Sequence, residues 1–533
     1  MQLSPSAHTD TFCRDSLPPD EQWPELDLAT AGLAYPDRLN AADELLDATI
    51  AVHGPDRRCL LSPGETWTYG DVAARASQIA RVLTEDLGLV PGNRVLLRGP
   101  NNPWLAACWL GVLKAGGVAV ATMPMLRTAE LTSICEIAQV RLAFCDHRFT
   151  EELTAVPGVR IITFGGQEAG DLTALAAAKP AGFASVPTAG DDVAMIAFTS
   201  GTTGRPKAAM HFHRDLLATA DTYSRLVLRP GPDDLFTGTP PLAFTFGLGA
   251  LLLFPLRAGA ATLLLEKATP AELADAIAEY GVTIVSTAPT AYRAMLAAGK
   301  AGQLRGLRSP VSAGEHLPRS TWDAFYEATG VQIVDGIGST EMLHIFVSVT
   351  PGQIRAGSTG TEVPGYRAVI LDAEGKPVPD GQPGRLAVKG PTGCRYLNDP
   401  RQQQYVQDGW NITGDTYVRD ADGYFWYQAR SDDMIISGGY NIAGPEIEEV
   451  LLAHPDVAEC GVVGVPDEAR GQLVKAFVIL RAGAEGDDAK VRELQDLVKE
   501  RIAPYKYPRA IEFVSVLPRT NTGKLQRFRL REQ

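Results

Sequence analysis

The chain has 533 residues and a formal net charge of −14, with hydrophobic and charged fractions in the proportions of an ordinary globular protein. Its length exceeds what one hydrophobic core supports, so at least two domains are expected. The acidic balance and the lack of a basic block exclude nucleic acid and an anionic membrane surface as main partners, so an anionic ligand has to be met by local cations and N–H dipoles.

The first twenty residues lack the basic and apolar regions of a signal peptide, and residues 2–38 read as an irregular arm lying over the surface. The longest apolar run, 250–255, is too short for a bilayer, so a cytoplasmic protein without a membrane is expected. Seven scattered cysteines (Cys13, Cys59, Cys108, Cys135, Cys145, Cys394, Cys460) show no C-x-x-C and read as reduced core thiols.

Periodicity then predicts helices over 41–50 and 70–87, a strand over 65–69 between them, and a strand over 94–98. A helix over 103–115 ends at Gly116-Gly117, followed by strands over 118–121, 141–145, 159–164 and 193–198. Further on come a strand over 261–265, a helix over 270–280, a strand over 284–286 and a helix from 289. Repeated βα units imply a mainly parallel sheet wrapped by helices, with ligands at the carboxyl ends of strands. Past Gly357 the pattern changes to short strands over 369–371, 384–389, 410–413 and 423–427 between Gly/Asp turns, a small β-rich subdomain. The last hundred or so residues, with helices over 445–453 and 488–501 and strands over 459–465, 474–480 and 510–514, read as a compact α+β unit. The fold class is therefore a large α/β N-terminal domain, 1–431, with a small α+β C-terminal domain, 432–533.

Directly after the strand over 193–198 stands Thr199-Ser200-Gly201-Thr202-Thr203-Gly204-Arg205-Pro206-Lys207. Glycines that admit backbone N–H groups to anionic oxygens, hydroxyl donors and one lysine suit a polyphosphate, though the stretch is not a Walker A loop. It resembles the phosphate loop of the adenylate-forming superfamily: acyl- and aryl-CoA synthetases, luciferases and peptide-synthetase adenylation domains.

The family's other motifs follow in order over nearly the whole chain. Ser312-Ala313-Gly314-Glu315 resembles the adenine-contact turn. In Asp335-Gly336-Ile337-Gly338-Ser339-Thr340-Glu341 the resemblance lays Asp335, Gly336 and Ile337 along the adenine, puts Thr340 on phosphate and makes Glu341 the Mg²⁺ ligand. A hard cation held by one or two carboxylates plus substrate phosphates agrees with that. Thr413-Gly414-Asp415, at the end of the strand over 410–413, carries the aspartate that would accept the ribose hydroxyls. In Arg430-Ser431-Asp432-Asp433-Met434-Ile435-Ile436-Ser437-Gly438-Gly439, Arg430 would reach the nucleotide and Asp432 would be the interdomain hinge. Gly438 and Gly439 would line the pantetheine tunnel for CoA. Arg509 is a looser candidate for the CoA phosphates. Pro518-Arg519-Thr520-Asn521-Thr522-Gly523-Lys524 matches the final motif, which makes Lys524 the mobile lysine bridging the substrate carboxylate and α-phosphate. The same context resembles the acetylation site of acyl-CoA synthetases, which implies a lysine acetyltransferase as a partner.

By resemblance the acid pocket is lined by Phe244, Thr245, Phe246, Ala313, Gly338, His344 and Ile345. Phe244 replaces the gating histidine of many members, and together these residues describe a flat apolar slot for an aryl ring. Gly338-Ser339-Thr340-Glu341-Met342-Leu343-His344-Ile345-Phe346 resembles the benzoate-CoA ligase branch, and the N-terminal arm resembles its 2-aminobenzoate-CoA ligases. The implied activity joins an aromatic carboxylate, 2-aminobenzoate ahead of benzoate, to CoA through an acyl-AMP, using ATP and Mg²⁺. A free-standing adenylation enzyme that loads a carrier-protein thiol is the alternative, while a fatty acyl or luciferase-type enzyme fits the short slot less well. Monomer and homodimer both remain open.

Overall fold

The computed structural model describes residues 3–199, 206–430, 433–437, 440–467, 471–502, 504–520 and 523–532. Two large sheets organise the first four hundred residues or so. The six-stranded sheet runs Arg160–Phe164, Leu142–Asp146, Arg94–Arg98, Val118–Thr122, Val193–Thr199, Lys207–Phe212, parallel throughout except at its last pair. The nine-stranded sheet is parallel from Val334–Gly338 across to Arg58–Ser62 and antiparallel at both edges. Every residue of Arg94–Arg98 and of Val118–Thr122 is buried, as in parallel strands covered on both faces. The mainly parallel architecture read from the alternating elements is therefore present.

Helices start where local chemistry supports them. Thr68 and Asp71 form a reciprocal capping box at Tyr69–Arg81. Asn102 caps Pro103–Lys114, whose first residue is proline. These two helices pack closely because Gly111 has no Cβ: one placed there would lie 2.6 Å from Ile79 Cγ2. One contiguous core then joins both helices to both sheets.

The β-rich subdomain is antiparallel, with Arg367–Leu371, Pro383–Lys389, Trp410–Arg419, Val406–Gln407 and Phe425–Arg430. The C-terminal unit has its own core, with Ile447 and Leu451 from Gly444–Leu452 and Leu494 and Val498 from Asp488–Arg501 lying against Val462 and Val474.

The N-terminal arm lies over the surface as expected and is anchored there: it buries His8 and Cys13, Asp10 pairs with Arg94 at 2.5 Å and Asp192 accepts the Ala7 N–H at 2.9 Å. Two expectations change. Thr413-Gly414-Asp415 does not end a strand. It forms a bulge inside Trp410–Arg419, where the register against Pro383–Lys389 jumps and Gly414 takes φ +77°. The chain between 207 and 260, left without elements, forms the strand Lys207–Phe212 and helical runs from His213 and Thr245. All seven residues of His213–Thr219 are buried, so that stretch carries no polar face from which a helical period could be read.

One ion pair ties the subdomain to the first sheet. Residues 395–397 pair with Lys207–Phe212 through Met210 N–H to Arg395 O at 2.8 Å and Leu397 N–H to Ala208 O at 2.9 Å. The Arg395 guanidinium lies 3.9 Å from the Phe212 ring and pairs with Asp215; both charged side chains are fully buried. Truncating one member of such a pair strands the other charge. Asp215→Ala is expected to destabilise the protein by about 3–5 kcal/mol, read from urea unfolding, and Asp215→Leu/Arg395→Met to recover most of that loss.

Candidate active site

The predicted phosphate loop is flanked by two strands that pair antiparallel. Thr199 and Lys207, its two flanks, stand opposite each other in the pairing of Val193–Thr199 with Lys207–Phe212. Ser200, Gly201, Thr202, Thr203 and Gly204 lie outside the described residues. Lys207 Nζ donates to Tyr396 Oη at 3.1 Å, and Tyr396 donates to Glu341 Oε1 at 2.5 Å. Lys207 and Glu341 themselves are 3.7 Å apart, with Glu341 buried and Lys207 partly open.

Glu341 belongs to the turn between Val334–Gly338 and Ile345–Ser348, strands that pair antiparallel. The turn is held from several sides. Ser339 Oγ meets Tyr405 Oη at 3.1 Å, and His211 Nε2 lies 2.8 Å from Thr340 O, so that nitrogen carries the proton and donates. Thr392 Oγ1 donates to Met342 O at 2.8 Å, and Leu343 takes φ +70°, an uncommon conformation for leucine. On the adjoining strand Asp335 is buried, and its Oδ1 has no hydrogen-bond partner among the described residues. Burial pushes that carboxyl well above the usual range, as befits an acid that meets a polar ligand and not bulk water. Ile337, next along the strand, is half-buried.

Opposite lies a ring of charge. Asp415 is paired with Arg430 at 3.3 Å, and burial raises its pKa against the pull of that guanidinium. Arg519 bridges Glu315 at 3.4 Å and Glu459 at 2.6 Å, so Glu315 holds a partner from the C-terminal unit. Beside it Gly314 has φ +88°, and a Cβ there would lie 3.9 Å from Lys524 Cε. Lys524 thus enters the same cleft. Desolvation lowers its pKa while Asp415 raises it, although part of the residue stays open to solvent.

The slot residues converge on His344. Its ring lies 4.5 Å from Phe254 in edge contact, 5.4 Å from Tyr223 and 5.8 Å from Phe246. Burial lowers its pKa to about 3 against an opposing interaction with the Phe246 backbone, and among the described residues neither ring nitrogen makes a hydrogen bond of full geometry. Gly249 makes room for it, since a Cβ there would fall 2.3 Å from His344 Cδ2. Phe244 and Thr245 open the helix Thr245–Leu248, and Ala313 is buried. Gly336 lets Ile345 cross above it, and a Cβ at Gly338 would collide with the His344 carbonyl at 2.5 Å.

Sequence reasoning missed Tyr396, Tyr405, His211, Tyr223 and Phe254. Each reaches the site through strand pairing or helix packing, and no spacing pattern announces them. Asp432, Gly438 and Gly439 lie outside the described residues. Arg509 sits 4.8 Å over the Tyr507 ring and donates to Tyr505 O, held within its own unit. Among the described residues no group of three or more His, Cys, Asp or Glu could hold a metal, and no helix is long and apolar enough to cross a membrane. A cation here would depend on a single carboxylate, Glu341, together with ligand phosphates. Glu341 suits that part, because no hydrogen bond reaches its Oε2 among the described residues. All seven cysteines are unpaired and buried.

Residues 46–395 match the AMP-binding enzyme family, and residues 446–524 match the AMP-binding enzyme C-terminal domain. The chain is 37% identical to the benzoate–CoA ligase of Thauera aromatica over 94% of this chain and 97% of that one. Among solved structures it resembles the anthranilate CoA ligase AuaEII in complex with anthranoyl-AMP, with a TM-score of 0.89 and 35% identity over 94% and 98% of the two chains. A benzoate CoA ligase from Burkholderia xenovorans LB400 gives a TM-score of 0.86 with 33% identity over 92% and 100%.

The buried imidazoles generate a pH prediction. Burial lowers His211 to about 4 and His213 and His344 to about 3, all below the unfolded value near 6.5. The unfolded chain therefore takes up protons first as pH falls, so stability present above pH 6.5 is lost between about 6.5 and 4. Each imidazole is expected to contribute a loss of about 1.4 kcal/mol per pH unit in that window, measured by urea unfolding at pH 7, 6 and 5. NMR of ring-labelled histidine should show these three neutral down to pH 5.

Proposed function

This chain belongs to the AMP-binding enzyme family, in its branch of aryl-CoA ligases, and on that premise we propose that it couples 2-aminobenzoate, and less efficiently benzoate, to CoA. The observation that carries the reading is the aromatic cluster around neutral His344, set on the turn that also bears Thr340 and Glu341. The slot accepts a planar ring, and a buried imidazole nitrogen without a hydrogen bond of full geometry among the described residues offers an acceptor for a ring amino group. A substrate lacking that donor leaves the nitrogen unsatisfied, which supports an order with benzoate second.

The nucleotide follows from the cleft. Asp335, Gly336 and Ile337 take the adenine edge, Asp415 accepts the ribose hydroxyls with Arg430 alongside, and Thr340, Lys207 and the loop from Thr199 take the phosphates. Glu341, together with the nucleotide's phosphates, would hold Mg²⁺, which would supply neutralisation of the triphosphate charge. Lys524 stands between the carboxylate and the α-phosphate, where a preorganised ammonium opposes the charge that develops as the acyl–phosphate bond forms and pyrophosphate leaves. In the second step the CoA thiolate attacks the acyl carbon and AMP departs. The units 1–431 and 432–533 turn about Asp432 between the steps, bringing Gly438, Gly439 and Arg509 to the pantetheine and CoA phosphates. The reaction needs no membrane, and a cytoplasmic enzyme is the corresponding proposal.

CoA-dependent AMP release across 2-aminobenzoate, benzoate, 2-hydroxybenzoate, 4-hydroxybenzoate and hexanoate, with pyrophosphate followed in parallel, tests this. The highest kcat/KM is expected for 2-aminobenzoate, and a preference for hexanoate would overturn the slot. Pyrophosphate release without CoA-dependent AMP release would show that the adenylate goes to a carrier-protein thiol. Lys524→Ala is expected to slow acyl-AMP formation at least about 100-fold while CoA attack on supplied acyl-AMP stays near wild type. Enzymatic acetylation of Lys524 should reproduce that split, because it removes the same charge.

A further inference from the structure

The hydroxyl of Tyr396 stands between the two charged groups of the phosphate site, and no motif points to it. We propose that Tyr396 is a positioning residue that keeps Lys207 from hydrogen-bonding Glu341 directly, leaving them a looser ion pair at 3.7 Å, so that the carboxylate remains available to the cation and the ammonium to phosphate. The inference rests on the reading of Glu341 as the Mg²⁺ ligand.

A buried carboxylate oxygen requires a donor, and two are within reach of Glu341 Oε1. Tyr396 Oη supplies it at 2.5 Å, while Lys207 Nζ stays at 3.7 Å and donates to Tyr396 Oη at 3.1 Å. The phenol thus satisfies the oxygen that the ammonium would otherwise take, and its own lone pair holds the ammonium off. Ligating carboxylates depend on such outer partners for orientation and affinity.

Tyr396 is itself rigidly placed. Its N–H donates to Gln402 Oε1 at 2.8 Å, and Gln402 is buried and donates in turn to Cys394 O at 3.1 Å. Its neighbours Arg395 and Leu397 hydrogen-bond to Met210 and Ala208, on the same strand that begins at Lys207. The ring meets Tyr405 edge-on at 5.8 Å and lies 5.3 Å from Lys207 Nζ. Removing only the hydroxyl would leave these contacts and free Lys207 to close on Glu341 as a direct ion pair, masking the carboxylate.

The test is Mn²⁺ binding by electron paramagnetic resonance to the full-length protein with a non-hydrolysable ATP analogue, which reads metal affinity without turnover. Tyr396→Phe should weaken Mn²⁺ binding about 10–100-fold at an unchanged thermal midpoint, with CoA attack on supplied acyl-AMP retained. Adding Lys207→Met to Tyr396→Phe should restore part of that affinity, a recovery that mere loosening of the fold would not give. Glu341→Gln separates the two levels of the argument. If it leaves Mn²⁺ binding unchanged, the assignment of the metal ligand fails. If it weakens binding while Tyr396→Phe does not, the role of Tyr396 is overturned.

Discussion

The site depends on one edge pairing, that of residues 395–397 against Lys207–Phe212, and on the ion pair that secures it. Arg395 and Asp215 are both fully buried, and the guanidinium also lies on the Phe212 ring. Buried charges tolerate few alternative arrangements, because each must keep its partner or face the cost of isolation. That fixes the register of the segment, and register decides which side chain faces the cleft. One residue on from Arg395 is Tyr396, and it reaches Lys207 and Glu341. Three separate parts of the chain thus acquire a common geometry from a contact outside the chemistry.

The electrostatics are local, as an acidic chain requires. Lys207, Arg430 and Lys524 line the cleft, each near a carboxylate: Glu341, Asp415, and Asp415 with Glu315 respectively. The interleaving keeps the cleft stable without ligand and gives arriving phosphates and hydroxyls partners to exchange with. On the aryl side the opposite logic applies, because burial keeps His344 neutral and leaves it no hydrogen bond of full geometry among the described residues. The two halves of the site therefore differ in polarity over the short distance between Glu341 and His344 on one turn.

The C-terminal unit meets the rest of the chain at several points. Arg519 pairs with Glu315 at 3.4 Å, and the helix Gly444–Leu452 packs on Arg319–Thr329 and Phe425–Arg430, with Glu449 accepting from the Arg319 and Ser320 backbone. The unit also has a core of its own, so its fold does not rest on these contacts alone.

What the sequence determined by itself is whatever local chemistry encodes. The βα alternation, the helix end at Gly116-Gly117 and the glycine- and hydroxyl-rich stretch after the strand over 193–198 are all readable there, because period, cap and turn residues act over a few positions. The wall of the acid slot was only half legible. His344 and Phe246 sit in motif stretches, whereas Tyr223 and Phe254 come from mostly buried helical runs outside any motif. Thr413-Gly414-Asp415 looked like a strand end because glycine usually breaks a strand, yet pairing on both sides carries the strand through as a bulge. Only the tertiary structure decided that Tyr396 faces Glu341, that Asp10 anchors the N-terminal arm, and that neither nitrogen of His344 makes a hydrogen bond of full geometry among the described residues. Those outcomes depend on which distant segments share an edge or a core, and packing settles that only once the whole chain has condensed.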